Sequence, residues 1–165
     1  MTYRVTFVCT GNICRSPMAE HVLRGHVEKA GLDVLVDSSG TGGWHVGGPA
    51  DPRTVQVLEQ RGYTSDHRAR QFTPAWFDEY DLVIALDRGH EKELRRQART
   101  EADRAKIRLL RSFDPQAGTQ LSVPDPYYDD AEFDLVMELI EAAVPGLLAE
   151  IGAAAQELAE APDQA

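Results

Sequence analysis

Ten residues near the N-terminus combine a thiol, a guanidinium group and small polar side chains: Val8-Cys9-Thr10-Gly11-Asn12-Ile13-Cys14-Arg15-Ser16-Pro17. The segment follows a short apolar run and precedes a helical pattern, so we expect it to be a loop between a strand and a helix. Curled in that way, the five backbone N–H groups between Cys9 and Arg15, the guanidinium and the helix N-terminus can all point at one tetrahedral anion. The pattern therefore predicts a phosphate-binding loop with Cys9 at its floor.

The residue types in this loop suit that chemistry. Oriented N–H dipoles and Arg15 favour an ionised Cys9, which would be a nucleophile at neutral pH. Arg15 offers a fork of donors that matches two phosphoryl oxygens, and Asn12, like the glycine before it, tolerates the positive φ that makes N–H groups converge. We expect Ser16 to cap the helix and to donate a proton to the departing thiolate, with Pro17 at the first helical position.

Two simpler interpretations compete with this one. A single cysteine at a strand end is usually a small buried hydrophobic residue, and a nucleotide-binding P-loop is disfavoured because no Gly-Lys-Ser/Thr follows. The Gly-Asn pair, the Ser-Pro pair and the strand–loop–helix context favour catalysis. Cys9 and Cys14 lie five residues apart in one loop, so the sequence offers neither a disulfide framework nor a zinc site, and we expect a reduced protein without metal.

Attack on a phosphoryl group leaves an oxyanion that needs a proton, and a carboxyl group opposite the nucleophile is the usual source. Asp125 lies between two prolines, which restrict the backbone and fix the position of the side chain. Asp114, Asp129 and Asp130 are alternatives on spacing alone. The ordinary role of an aspartate beside proline is to form a turn.

The segment V-C-T-G-N-I-C-R-S-P, V-P-D-P-Y-Y at 123–128 and the chain length together resemble the low-molecular-weight protein tyrosine phosphatase family, most of all its actinobacterial members, over about residues 3–150. The resemblance implies proteins carrying phosphotyrosine as substrates and no cofactor. It selects Asp125 as the general acid beside Cys9 and Arg15. It also implies that phosphate is bound by the remaining loop residues Thr10, Gly11, Asn12, Ile13, Cys14 and Ser16.

Further positions match the family's supporting residues. The resemblance implies that Asn12, Ser38 and His67 hydrogen-bond to one another and brace the loop, and that Asp87 supports the site. On its own, His67 would be read as a surface residue.

Aromatic residues are the candidates for the walls of a substrate slot. Tandem tyrosines such as Tyr127 and Tyr128 are usually core or surface residues, but beside a phenyl phosphate they can form a stacking wall. Trp44, in the glycine-rich loop 40–49, corresponds to the family's variable aromatic position on the opposite wall. The implied slot is deep enough for phosphotyrosine and too deep for phosphoserine.

Composition limits the partners. The chain has 165 residues and a net charge of −10, which disfavours nucleic acid and anionic membranes. No apolar run approaches the roughly 18 residues of a membrane span, and no signal peptide is evident. We expect a cytoplasmic monomer, and export by a route that needs no signal peptide is not excluded by the sequence. Additional cations near the mouth of the site could come from Arg53, His67, Arg68 and Arg70.

Alternating apolar runs and helical patterns predict an α/β fold, a single-domain three-layer sandwich over residues 1–160 with a frayed tail at 161–165. A four-stranded parallel sheet is expected with helices on both faces, and the resemblance adds the strand order 2-1-3-4. Strands are predicted at 4–8, 34–39, 81–86 and 107–110, and helices at 17–30, 51–61, 88–97, 101–106 and 131–160, the last with a kink or break at Val144-Pro145-Gly146.

Three alternative functions remain on the sequence. Arsenate reductases share the fold but need further cysteines, and none follows Cys14. Protein-arginine phosphatases typically carry a small polar residue where this chain has Ile13. A non-catalytic phosphotyrosine-binding module needs neither Cys9 nor Asp125.

Overall fold

The computed structural model describes residues 1–161 and contains four parallel strands, β1 (Tyr3–Cys9), β2 (Val34–Gly40), β3 (Leu82–Ala85) and β4 (Ile107–Leu109). They form one sheet in the order β2-β1-β3-β4. The predicted fold class and strand order are therefore confirmed. Of the predicted tail at 161–165, residues 162–165 lie outside the described residues.

Helices cover both faces of this sheet. The five helices of residues 1–161 are α1 (Arg15–Ala30), α2 (Pro52–Gln60), α3 (Arg88–Gln97), α4 (Glu101–Ala105) and α5 (Glu132–Glu160), and short 3-10 turns lie at Pro74–Asp78 and Leu110–Phe113. Val5 and Phe7 of β1 pack with α1 and α5, while Val8 points to the other face, where Leu94 of α3 is buried. No helix within residues 1–161 is both long and apolar enough to cross a membrane.

Helix α1 begins two residues earlier than predicted. Arg15 and Ser16 are its first two residues, Cys14 holds the capping position, and no side chain caps this end. The prediction that Ser16 caps the helix is therefore wrong, because its hydroxyl is turned into the loop instead. At the other end Gly31 follows the helix with φ 68°, a left-handed conformation that glycine adopts without strain.

Of the kink or break predicted at Pro145, the break does not occur, because helix α5 is continuous through this residue. Proline removes one helical hydrogen bond, but Val144 and Leu147 beside it are fully or almost fully buried. Gly146 lets the helix approach the 3-10 turn so closely that a Cβ there would lie 2.3 Å from the carbonyl oxygen of Phe113. Tertiary packing holds the helix together through the proline.

The carboxyl ends of the strands meet at one edge of the sheet, where ligand sites of open α/β sheets lie. Cys9 at the end of β1 is paired with Gly40 at the end of β2. A Cβ on Gly40 would lie 2.6 Å from the Thr10 carbonyl oxygen, so glycine is required for the first loop to pack against β2.

Candidate active site

A cavity of about 170 Å³ opens at this edge of the sheet. It brings together three parts of the chain that are far apart in sequence: the loop 9–16, called the phosphate loop below, the glycine-rich loop and the segment around Asp125. The residues that line it are Cys9, Thr10, Gly11, Ile13, Cys14, Arg15, Trp44, His45, Asp125, Tyr127 and Tyr128. His45 is a lining residue that sequence analysis did not single out.

Cys9 lies at the floor with 3% of its surface exposed. Its Sγ is 2.9 Å from the Ser16 hydroxyl oxygen. That oxygen accepts a hydrogen bond from Asn12 Nδ2 at 2.8 Å, so the Ser16 proton is free to be donated to sulfur. The Ser39 carbonyl is a more distant acceptor, at 3.4 Å. Ser16 is therefore placed to stabilise negative charge on Cys9.

Asn12 holds the loop in shape. It is the one residue other than glycine with positive φ, 58°, in the described part of the chain. Nδ2 also donates to the Ser38 hydroxyl at 2.9 Å, Oδ1 accepts from the Arg70 backbone N–H at 2.8 Å, and the carbonyl accepts from His67 Nε2 at 2.6 Å. The structure thus brings Asn12, Ser38 and His67 together beneath the phosphate loop.

Glu20 extends this network, although sequence analysis did not predict it. Ser38 donates to Glu20 Oε1 at 2.6 Å, and only 4% of Glu20 is exposed. Burial acts to raise the pKa of this carboxyl, but hydrogen bonding to His67 and Ser38 and the charges of His21 and Arg24 outweigh it and hold the pKa below its usual value. The only available signal was an acidic residue on the core-facing side of α1.

Arg15 is buried beside the loop and fixed by two acceptors. One terminal nitrogen donates to Asp87 Oδ2 at 2.8 Å and to the Val123 carbonyl at 2.9 Å. The other carboxylate oxygen of Asp87 accepts from the His90 backbone N–H and caps α3. Burial acts to raise the pKa of Asp87, but hydrogen bonds from the His90 backbone N–H and from Arg15, together with the Arg15 charge, lower it overall, so Asp87 is a stable anion that ties Arg15 to α3.

Asp125 is the one aspartate among the residues that line the cavity. Its Oδ1 accepts from the Tyr127 backbone N–H at 3.1 Å, and Oδ2 lies 3.8 Å from Arg15. Asp114 instead is buried and accepts from the backbone of its own turn, and Asp130 pairs with Arg53 at 2.6 Å. The geometry favours Asp125 over these alternatives as a proton donor.

The aromatic residues form the rim of the cavity, by which we mean Trp44, Tyr127 and Tyr128. Trp44 is 77% exposed and Tyr128 is 91% exposed. The tyrosine rings meet edge to face with centroids 5.0 Å apart. The exposed rings of Trp44 and Tyr128 offer aromatic surface to a ligand.

The other cations proposed near the mouth do not line the cavity. Arg53 pairs with Asp51 and Asp130, and Arg70 pairs with Asp37 at 2.9 Å. His67 is buried behind the loop. Among the described residues that line the cavity, Arg15 supplies the fixed positive charge.

Cys14 lines the same cavity as Cys9. Burial, followed by the nearby Asp51 and Cys9, raises the pKa of its thiol to about 12. Cys14 is therefore a neutral thiol at physiological pH. Both cysteines are free.

Residues 4–157 match the family described as low molecular weight phosphotyrosine protein phosphatase. A low molecular weight protein-tyrosine-phosphatase of Streptomyces coelicolor is 62% identical over 155 residues, covering 92% of this chain and 94% of that protein. The chain belongs to the low molecular weight phosphotyrosine protein phosphatase family.

Solved structures show the same fold. A protein tyrosine phosphatase from Entamoeba histolytica, with Hepes in its active site, has a TM-score of 0.85 and 33% identity, covering 91% of this chain and 97% of that one. A Drosophila arginine phosphatase has a TM-score of 0.82 and 33% identity, covering 89% of this chain and 96% of that one.

Proposed function

We propose that this protein hydrolyses phosphotyrosine in proteins. The observation that carries the proposal is one cavity in which a buried thiol, a fixed arginine and a half-exposed carboxylate face a space edged by aromatic rings. The family relationship supports the same assignment.

The reaction has two steps. Cys9, as thiolate, attacks phosphorus while Asp125 protonates the leaving phenolic oxygen, which gives a phosphocysteine and free tyrosine. Asp125, now a carboxylate, then takes a proton from water, which attacks phosphorus and releases phosphate and the Cys9 thiolate. Arg15 and the loop N–H groups stabilise the charge on the equatorial oxygens in both steps, and Ser16 donates to Cys9 whenever it leaves. No metal or cofactor enters this scheme.

The arginine phosphatase with the same fold defines the main competing function. Fold alone does not separate the two activities. Ile13 and Trp44 favour tyrosine, because both line the cavity and present apolar surface to a substrate ring. An arsenate reductase would need cysteines that the sequence lacks after Cys14, and a pure binding module would need no acid at Asp125.

The test is to compare hydrolysis of one peptide that carries phosphotyrosine, phosphoserine or phosphoarginine, with a chelator present throughout. We expect phosphotyrosine to have the highest kcat/KM. Fastest turnover of either other peptide would overturn the substrate assignment, and loss of activity in chelator would overturn the metal-free mechanism.

We also infer a protective redox role for Cys14. Peroxide would oxidise Cys9 to a sulfenic acid and release water, and condensation with the Cys14 thiol would form a disulfide and a second water, which a cellular thiol could reduce. Since Cys14 is a neutral thiol, we expect condensation to be slower than with a thiolate. Wild type should lose two hydrogens in intact mass after peroxide treatment and recover with reductant, and Cys14→Ser should recover less. Equal recovery would contradict the role.

The remaining expectations are that the protein is a cytoplasmic monomer whose partners are phosphotyrosine proteins and that residues 1–160 form its phosphatase domain. The charge of −10 bears on the partners alone, because it disfavours nucleic acid and other polyanions.

A further inference from the structure

His90 lies against the phosphate loop although neither the proposed reaction nor the sequence analysis uses it. It is the third residue of α3 and is 5% exposed. Its Nε2 lies 2.9 Å from the Thr10 hydroxyl and 3.5 Å from the second terminal nitrogen of Arg15. One ring nitrogen therefore faces both ends of the phosphate loop.

The partners of Nε2 define the protonation of the ring. Arg15 can only donate, so Nε2 must present a lone pair, and the Thr10 hydroxyl must donate to it. The ring proton then lies on Nδ1, which is 3.1 Å from Asp87 Oδ1.

The charges around His90 agree with a neutral ring. Burial lowers its pKa to about 4, and Arg15 from α1 acts in the same direction, while Asp87 and Asp125 oppose it. A protonated ring would face the guanidinium with a like charge.

The second ring nitrogen, Nδ1, makes His90 a costly residue to bury. Nδ1 lies 3.1 Å from Asp87 Oδ1 but makes no well-directed hydrogen bond among residues 1–161. A buried polar atom without a good partner costs stability. An apolar side chain would avoid this cost, so packing alone does not explain a histidine at this position.

Arg15 supplies the explanation. One of its terminal nitrogens is fixed by Asp87 and the Val123 carbonyl. The polar groups of residues 1–161 recorded beside the other are His90, at 3.5 Å, and Asp125, at 3.8 Å. This second nitrogen is the one left to contact a phosphoryl oxygen. Its direction therefore depends on the group beside it.

We propose that neutral His90 is a positioning residue. It holds the second terminal nitrogen of Arg15 and the Thr10 end of the phosphate loop in the positions needed to bind the transferring phosphoryl group. It acts through these two residues and not on the substrate. The proposal rests on the proposed phosphatase function.

Four variants test it: His90→Gln, His90→Leu, Thr10→Val and the double variant of the last two. Glutamine places an amide oxygen near the position of Nε2 and keeps an acceptor, whereas leucine fills space without one. Thr10→Val removes only the donor and keeps the shape of the side chain. His26→Leu, in the same helix as Arg15 but next to Tyr63, is the control for removal of a partly buried histidine.

We expect His90→Leu to lower kcat for phosphotyrosine about tenfold, the worth of one moderate hydrogen bond, with KM changed less than twofold. His90→Gln should recover most of kcat, and its activity between pH 5 and 8 should follow the wild-type profile because the native ring is already neutral. Thr10→Val should also lower kcat. The double variant should have the same kcat as His90→Leu, because Thr10→Val removes a hydrogen bond that His90→Leu has already removed.

Equal kcat for His90→Leu and wild type would overturn the positioning role. A kcat of His90→Gln no higher than that of His90→Leu would also overturn it, and so would a double variant whose loss of kcat is the product of the two single losses. If His90→Leu does not fold, an unchanged kcat in Thr10→Val overturns it instead. The proposed function fails in a different way: the wild type would bind inorganic phosphate but hydrolyse no phosphotyrosine. An active wild type with an unaffected His90→Leu variant would instead overturn the positioning role alone.

Discussion

The floor and the rim of the cavity are built in opposite ways. At the floor, Asn12 is fully buried, and both polar atoms of its side chain have hydrogen-bond partners. At the rim, Tyr128 and Trp44 expose most of their surface. The hydrogen-bonded floor suits the fixed geometry that the proposed reaction needs, whereas the exposed side chains of the rim can change conformation when a substrate binds. We therefore expect changes in the floor to act on kcat and changes in the rim to act mainly on KM.

The largest effect is expected from Cys9→Ser. A serine hydroxyl is not ionised near neutral pH, so turnover should fall by at least about 10⁴-fold, as for other removed nucleophiles. The floor stays intact, so the variant should still bind a phosphotyrosine peptide in calorimetry. If the variant retains more than a few per cent of wild-type kcat, Cys9 is not the nucleophile.

Asp125→Asn should rank second. Loss of the general acid costs about 10²–10⁴-fold on substrates with poor leaving groups, so phosphotyrosine should suffer far more than a substrate whose leaving group needs no proton. The basic limb of the pH profile should disappear at the same time. Asp114→Asn is the matched control, because that carboxyl lies outside the cavity. A larger loss in the control would show that the acid is misassigned.

The sequence was sufficient for the parts of this site that depend on neighbours in the chain. The predicted helices at 17–30 and 51–61 follow from local residue types, and the structure has both with ends within two residues of the prediction. Asp125 lines the cavity together with Cys9 and Arg15, and its role as general acid stays a prediction. Glu20 and His90 were missed because their partners lie 18 and 80 residues away, and nothing local marks a buried polar side chain. The break predicted at Pro145 failed for the same reason, since distant packing outweighed local propensity.

Ser38→Ala should have a third, intermediate effect. It removes the link between Asn12 and Glu20 and leaves two buried groups short of a partner, so we expect a loss of about 1–3 kcal/mol in the free energy of unfolding. We also expect kcat to fall about tenfold, because the floor loses its support. Ser112→Ala, whose hydroxyl donates to the Leu109 carbonyl outside the cavity, is the control. Equal kcat in the two variants would contradict a bracing role for Ser38.

The stability loss in Ser38→Ala should depend on pH. The folded state holds the pKa of Glu20 below its ordinary value, so this carboxyl contributes stability that is present above the unfolded pKa and lost as pH falls through the folded one. Ser38 is one cause of that lowering. The difference between variant and wild type in chemical denaturation should therefore be larger at pH 7 than at pH 3. A difference that grows on acidification would contradict this account of Glu20.

The smallest effect is expected from Tyr128→Ala at the rim. The side chain is 91% exposed and packs edge to face on Tyr127, so its removal should leave the melting temperature almost unchanged. We expect the Tyr128 ring to stack on the substrate, so the variant should lose the binding free energy of one aromatic contact, about 0.5–1.5 kcal/mol. This corresponds to a rise of roughly 2–10-fold in KM for a phosphotyrosine peptide, with kcat nearly constant. Leu135→Ala, which removes another exposed hydrophobic side chain outside the cavity, is the control and should change neither constant. A Tyr128→Ala variant that loses kcat and keeps KM would show that the rim takes part in the chemistry and would remove the distinction between rim and floor.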